Sequence, residues 1–141
     1  MEATVILRRP KPGFKYRRSW GTVKDVGPVV GEPRLQLDRF FRPYETDVVG
    51  TEMLKRAEAL GHLAGQSHAE RLLDNQEDIR SQLRRYKLIF AGTVRRDPRI
   101  SRRGLCVPYM FWQGGGQEWL LVHSLLKEKF RNYCRLVRLA T

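Results

Sequence analysis

Proline placement constrains this chain more than any other feature. Five of the seven prolines precede residue 45, with Gly13, Gly21, Gly27 and Gly31 among them. Proline fixes φ and offers no N–H, so this density rules out a long helix in the first third of the chain. Short extended pieces are expected at 4–7 and 20–23. Spaced apolar positions are too few there for independent folding, so 1–45 reads as an extended, basic, Pro/Gly-rich arm. Residues 46–141 read as a small helical domain carrying a basic loop at 93–104.

Helical periodicity starts where the prolines stop. Thr51 is a fair N-cap, Leu54, Ala57, Leu60 and Leu63 form a short apolar face, and Gly61 or Gly65 closes it. Ser67 and Glu70 have the S-x-x-E spacing of a capping box. From there Leu72, Gln76, Ile79, Leu83, Tyr86 and Phe90 recur at alternating steps of 4 and 3, a heptad-like seam that predicts a helix over 67–91. After Gly114, Gly115 and Gly116, the positions Trp119, Val122, Leu126, Phe130, Tyr133 and Val137 match a helical period and predict a third helix. Lys127, Arg131, Arg135 and Arg138 fall on its opposite side. Between the two, 105–112 is apolar, and Pro108 would confine a strand there to a sheet edge or a buried extended segment. The expected architecture is mainly α. It has a short helix, two longer helices packed as an antiparallel pair, an extended basic N-terminal arm, a basic loop and a short edge strand near 105–112.

Charge says more about partners than about fold. The 141 residues hold 27 Lys or Arg against 15 Asp or Glu, a net charge of +12, and 20 of the 27 are arginine. The excess is concentrated at +6 in 1–24, +4 in 93–115 and +3 in 116–141, with a nearly neutral centre. Arginine's planar fork pairs bidentately with phosphate or carboxylate and stacks on rings, so an acidic polymer is the favoured partner, nucleic acid ahead of a membrane surface. No apolar run reaches the ~20 residues a membrane-spanning helix needs. Cys106 and Cys134 lack ligand spacing and read as small apolar residues in a reducing compartment.

Reactive groupings are sparse. His62, His68 and His123 show no paired metal-ligand spacing, and Ser67, His68 and Glu70 are explained by a cap without a nucleophile. Asp74, Glu77 and Asp78 read as a solvated helix face balanced by neighbouring arginines. The three glycines at 114–116 lack the Lys-Ser/Thr of a phosphate loop and read as a turn from strand to helix. The sequence therefore predicts a protein that is not an enzyme and uses no cofactor, metal or small-molecule substrate.

Nucleic-acid signals are more coherent. In the arm, Arg8, Arg9, Lys11, Lys15, Arg17 and Arg18 are expected on phosphates, and Tyr16 interleaves a ring among them. Arg95, Arg96, Arg99, Arg102 and Arg103 form a loop too charged to fold on itself. Lys127, Arg131, Arg135 and Arg138 form the helix stripe. If about six of these cations reach phosphates, affinity should fall ~10³–10⁵-fold between 50 and 200 mM salt. The build points first to a structural RNA-binding component of a ribonucleoprotein, in particular an organellar (mitochondrial) ribosomal protein that neutralises rRNA phosphates and bridges neighbouring proteins. The alternative is an accessory structural subunit of a large membrane-associated complex of respiratory or ATP synthase type. An uncleaved basic N-terminus suggests an organellar matrix, with the cytoplasm as the alternative.

Overall fold

The structure is a computed structural model, and it describes residues 3–7, 21–96 and 104–140. Its core is a sheet rather than a helical pair. Strands β1 (Ala3–Ile6), β2 (Thr22–Asp25), β3 (Arg34–Asp38), β5 (Lys87–Ile89), β6 (Thr93–Arg96), β7 (Leu105–Gln113), β8 (Glu118–Leu125) and β10 (Cys134–Leu139) join in one mixed sheet. Its order is β1-β3-β10-β5-β7-β6-β2, with β8 paired to the other side of β7. The β10–β5 pair is parallel, with Cys134 opposite Lys87, and the other pairs are antiparallel. A two-stranded ribbon joins β4 (Asp47–Val49) to β9 (Lys129–Arg131). Helices α1 (Gly50–Leu60) and α2 (Gln66–Asp74) complete the fold.

The mainly α expectation is thus overturned, and the two long helices fail for different reasons. Over 67–91 the helix stops at Asp74. The Asn75 side chain bonds back to the Arg71 carbonyl, a local alternative that competes with the next helical turn. Two short 3₁₀ turns, Gln76–Asp78 and Ser81–Arg85, then lead into β5. Leu72, Ile79, Leu83 and Phe90 nevertheless share one buried cluster, so the seam located burial while misassigning conformation. Over 119–137 the structure has β8, β9 and β10 instead of a helix. The three glycines turn a hairpin in which Trp112 faces Trp119, Tyr109 faces Val122 and eight cross-strand pairs run without a bulge. Aromatic and β-branched pairs across a ladder stabilise each other by roughly 0.2–1 kcal/mol each, a return available only to the extended form.

Strand β7 is also not an edge. Residues Met110 and Tyr109 pair with β5, Arg95 and Arg96 of β6 pair with Cys106 and Leu105, and β8 covers the other side. Pro108 is tolerated because it faces the turn at 90–92 between β5 and β6, where the ladder has a gap. Its carbonyl accepts the Phe90 N–H at 3.0 Å, and no partner there requires the missing donor.

Each face of the sheet is covered by a different helix. One face packs Leu35, Leu37, Leu88, Met110, Trp119 and Val137 beneath α2 and the 3₁₀ turns. The other packs Ile89, Val94, Val107, Cys134 and Leu136 beneath Met53 and Ala57 of α1 and Val48 and Phe130 of the ribbon. Helix α1 starts near the expected place, though its N-cap is Val49 and not Thr51, and it ends at Gly61 as expected, whose φ of +74° suits glycine. Strands at 3–6 and 22–25 overlap the extended pieces expected near 4–7 and 20–23, and Leu7, Leu35 and Leu37 are buried in the core.

The linker between the helices is threaded through the sheet. Ala64 N–H donates to the Val137 carbonyl and its own carbonyl accepts from Gly92 N–H at 2.8 Å. A Cβ on Gly92 would stand 2.8 Å from the Ala64 carbonyl carbon, so the close crossing requires glycine.

Candidate nucleic-acid interface

Cations on the described residues divide into those the fold consumes and those it leaves facing solvent. Arg138 on β10 is consumed. Its Nε and one terminal nitrogen donate to the carbonyls of Gly61 (2.8 Å) and Leu60 (2.7 Å), and the other donates to Asp38 Oδ2 (2.9 Å). It thereby satisfies carbonyls left open at the α1 C-terminus and places a positive charge at the negative end of the helix dipole. Arg56 is similar, with a bidentate bond to Glu45 (2.7 and 2.9 Å), a bond to Glu52 and another to the Phe40 carbonyl. The Arg56 bond holds the Glu45 carboxyl down to about 2. Arg95 is 7% exposed and directs a terminal nitrogen at His123 Nε2, 2.9 Å away. The same imidazole nitrogen lies 3.1 Å from Gln66 Oε1.

Ser67, His68 and Glu70 do not form the capping box read from their spacing. The N-cap is Gly65, and His68 Nδ1 at the third helical position accepts the Gly65 N–H at 3.0 Å. Ser67 Oγ accepts the Val29 N–H, and Thr93 Oγ1 accepts from Gln66 N–H while donating to Asp25. These groups knit α2 to the 25–31 loop and β6. Burial, reinforced by the nearby Arg71 charge, pushes the His68 imidazole down to about 4. His68 is therefore a neutral acceptor at physiological pH.

The solvent-facing cations gather where β5 and β10 begin side by side. Strand alternation sends Tyr86 and Leu88 to one face and Lys87 and Ile89 to the other, and β10 does the same with Arg135 and Cys134. On the α2 side lies an open groove of about 410 Å³ lined by Arg39, Arg85, Tyr86, Asn132, Tyr133 and Arg135. The guanidiniums of Arg135 and Arg85 stand 4.4 and 4.8 Å from the Tyr86 ring centre. Arg135 also donates to the Asn132 and Cys134 carbonyls. Burial lowers its pKa, the Tyr86 phenol oxygen opposes that, and the like charge of Arg39 adds to it. Further along, Arg84 lies 3.7 Å from the Trp112 ring centre.

On the other side of the same strand ends is a tighter pocket of about 40 Å³. Its apolar floor is Ile89, Phe130 and Cys134, and its walls are Tyr109, Tyr133 and Ser124. Lys87, Lys129 and Arg131 supply the cations. Lys87 Nζ lies 5.2 Å from the Tyr109 ring centre and 5.5 Å from that of Tyr133. Burial pushes the Cys134 thiol pKa up, against the pull of Lys87. Tyr133 belongs to both depressions and joins them, and no carboxylate among the described residues lines either.

Of the expected stripe, Arg131 lines the pocket and Arg135 the groove, whereas Arg138 is turned inward. Arg96 is exposed at the far end of β6, and Lys127 is exposed in the turn after β8. Arg8, Arg9, Lys11, Lys15, Tyr16, Arg17, Arg18, Arg99, Arg102 and Arg103 lie outside the described residues. Arg39, Arg85, Tyr86, Lys87, Tyr109, Lys129 and Tyr133 were not singled out from the sequence as site residues. The signal was present in Arg84-Arg85-Tyr86-Lys87 and in Arg131 to Arg135 around Tyr133, the same interleaving of rings and cations that marks the arm. No helix among the described residues is long and apolar enough to cross a membrane, and none of their His, Cys, Asp and Glu side chains group into a metal site. No protein-family model, curated protein or solved structure matches the chain.

Proposed function

We propose that this protein binds RNA through the joined groove and pocket, as a structural component of a ribonucleoprotein. The observation that carries the reading is a pair of depressions that share Tyr133 and are lined together by six cations (Arg39, Arg85, Arg135, Lys87, Lys129 and Arg131), three tyrosines and no carboxylate among the described residues. Such a surface neutralises phosphates while offering ring faces to bases, the two things an RNA-binding site needs. Like charges held this close, Arg39 beside Arg135 above all, repel until an anion enters. The Arg-rich composition and the basic stretches at 8–18 and 96–103 extend the same electrostatic character. An organellar ribosome is the assembly that best fits a small basic protein with this build.

Copurification of the tagged chain, with and without RNase at ~150 mM salt, tests the reading. Cosedimentation with a ribosomal or other ribonucleoprotein particle, lost after RNase, is the expected result. An RNase-resistant association with subunits of a membrane-bound complex would overturn it and make the protein an accessory subunit whose arginines meet carboxylates or headgroups.

A further inference from the structure

We infer that the tighter pocket receives one unstacked pyrimidine base, uracil ahead of cytosine, from single-stranded RNA whose backbone continues over Tyr133 into the open groove. The inference rests on the proposed RNA-binding reading and adds to it the strandedness and the base. Three features of the pocket lead there.

The first is what already occupies the space. Lys87 Nζ lies 5.2 Å from the Tyr109 ring centre and 5.5 Å from that of Tyr133, so in the free protein the end of a flexible side chain occupies space that both rings border. A planar base can replace an ammonium against either ring face, and Lys87 can withdraw along its own stem to the rim of the pocket. A base paired in a duplex cannot enter such a space, because its faces are covered by its neighbours.

Size comes second. The pocket, at about 40 Å³, has room for about three waters on the measure by which one water takes 10–15 Å³. Withdrawal of the Lys87 end adds to that room, and a one-ring base needs less of it than a fused purine. Its floor of Ile89, Phe130 and Cys134 is at most 5% exposed, leaving little room to deepen.

The third is the pattern of polar groups. Lys87, Lys129 and Arg131 are donors only, and Ser124 adds a hydroxyl that can serve either role. A rim of donors favours the base with the most carbonyl oxygens at its edge. Uracil has two, cytosine one and adenine none. Guanine has one, on a larger two-ring base.

The test is fluorescence anisotropy of the full-length protein with labelled U8, C8, A8 and a 16-base-pair RNA duplex, repeated with Tyr133→Ala and Lys87→Met. Stacking on a ring changes affinity by roughly 5- to 100-fold per base. U8 is expected to bind ~10-fold tighter than A8 and tighter than the duplex. Tyr133→Ala should weaken U8 by ~10-fold and leave the duplex nearly unchanged, and Lys87→Met should shrink the preference of U8 over A8. Tyr133 is 38% exposed in a turn, so its truncation spares the core. Salt-dependent binding of every RNA, with A8 or the duplex as tight as U8, would overturn the pyrimidine pocket and leave the RNA-binding reading standing. Binding of none of the four would overturn both.

Discussion

Arg135 and Arg138 are three residues apart on one strand, and they meet opposite fates. Arg138 faces α1, where two helix-end carbonyls and Asp38 take up its donors. Arg135 faces the other side, stacks on Tyr86 beside Arg39, and leaves its charge without a carboxylate among the described groove residues. A helical reading puts both on one solvent stripe. The period-2 geometry of a strand puts them on opposite faces, one spent on the fold and the other free for an anion. A count of cations therefore says little about binding until the period is known.

The sharpest way to break this contrast is to remove the consumed arginine. Arg138→Met should cost about 3 kcal/mol in urea unfolding, because it leaves the Asp38 carboxylate with the Gln36 amide but no counter-charge and removes the donors to the α1 carbonyls, in a site where the Arg138 and Asp38 side chains are at most 16% exposed. RNA affinity of the folded protein should not change. A stable Arg138→Met protein with weakened RNA binding would reverse the assignment of the two arginines.

His68 tests the internal polar network by pH. Its pKa is lowered from 6.5 to about 4, so the unfolded chain binds this proton more readily than the native state. Stability from this group is complete above pH 6.5 and is lost as pH falls from 6.5 toward 4, on the order of 3 kcal/mol in total. His68→Gln keeps an acceptor for the Gly65 N–H and removes the titration. Chemical denaturation at pH 7.5 and 4.5 should show a smaller difference for the variant than for the parent.

Arg135→Gln is the reciprocal of the first substitution. It should cost about 1 kcal/mol of stability through lost stacking, yet weaken RNA binding several-fold and reduce the salt slope by about 1. Binding isotherms at several salt concentrations check both. At the small end, the exposed Lys24–Glu58 pair, 3.4 Å apart, should contribute less than about 0.5 kcal/mol, so Lys24→Gln should leave urea unfolding nearly unchanged.

Legibility in the sequence followed the same division. Burial at Leu72, Ile79, Leu83 and Phe90 and the start and end of α1 were readable, because apolar spacing and a terminal glycine report local demands. The conformation of 76–91 and 119–137 was not, since it depends on partners far along the chain. Leu88 meets Met110, and Leu136 meets both Ile89 and Asp38. One local clue did favour strands, namely two apolar runs flanking the glycines with Trp112 and Trp119 at their inner ends, which is a hairpin pattern. Cations flank Tyr86 and Tyr133 in the sequence, but that these two and Tyr109 lie near one another depends on strand pairing and could not be read locally.

The most direct test of the RNA interface is ultraviolet cross-linking of the protein to 4-thiouridine-substituted RNA, with adducts mapped by mass spectrometry. The groove and pocket predict adducts on the peptides carrying Tyr86, Tyr109 and Tyr133, lost on competition with unlabelled U8. Adducts confined to other segments, or none under conditions where the RNA is bound, would contradict the assignment of this surface.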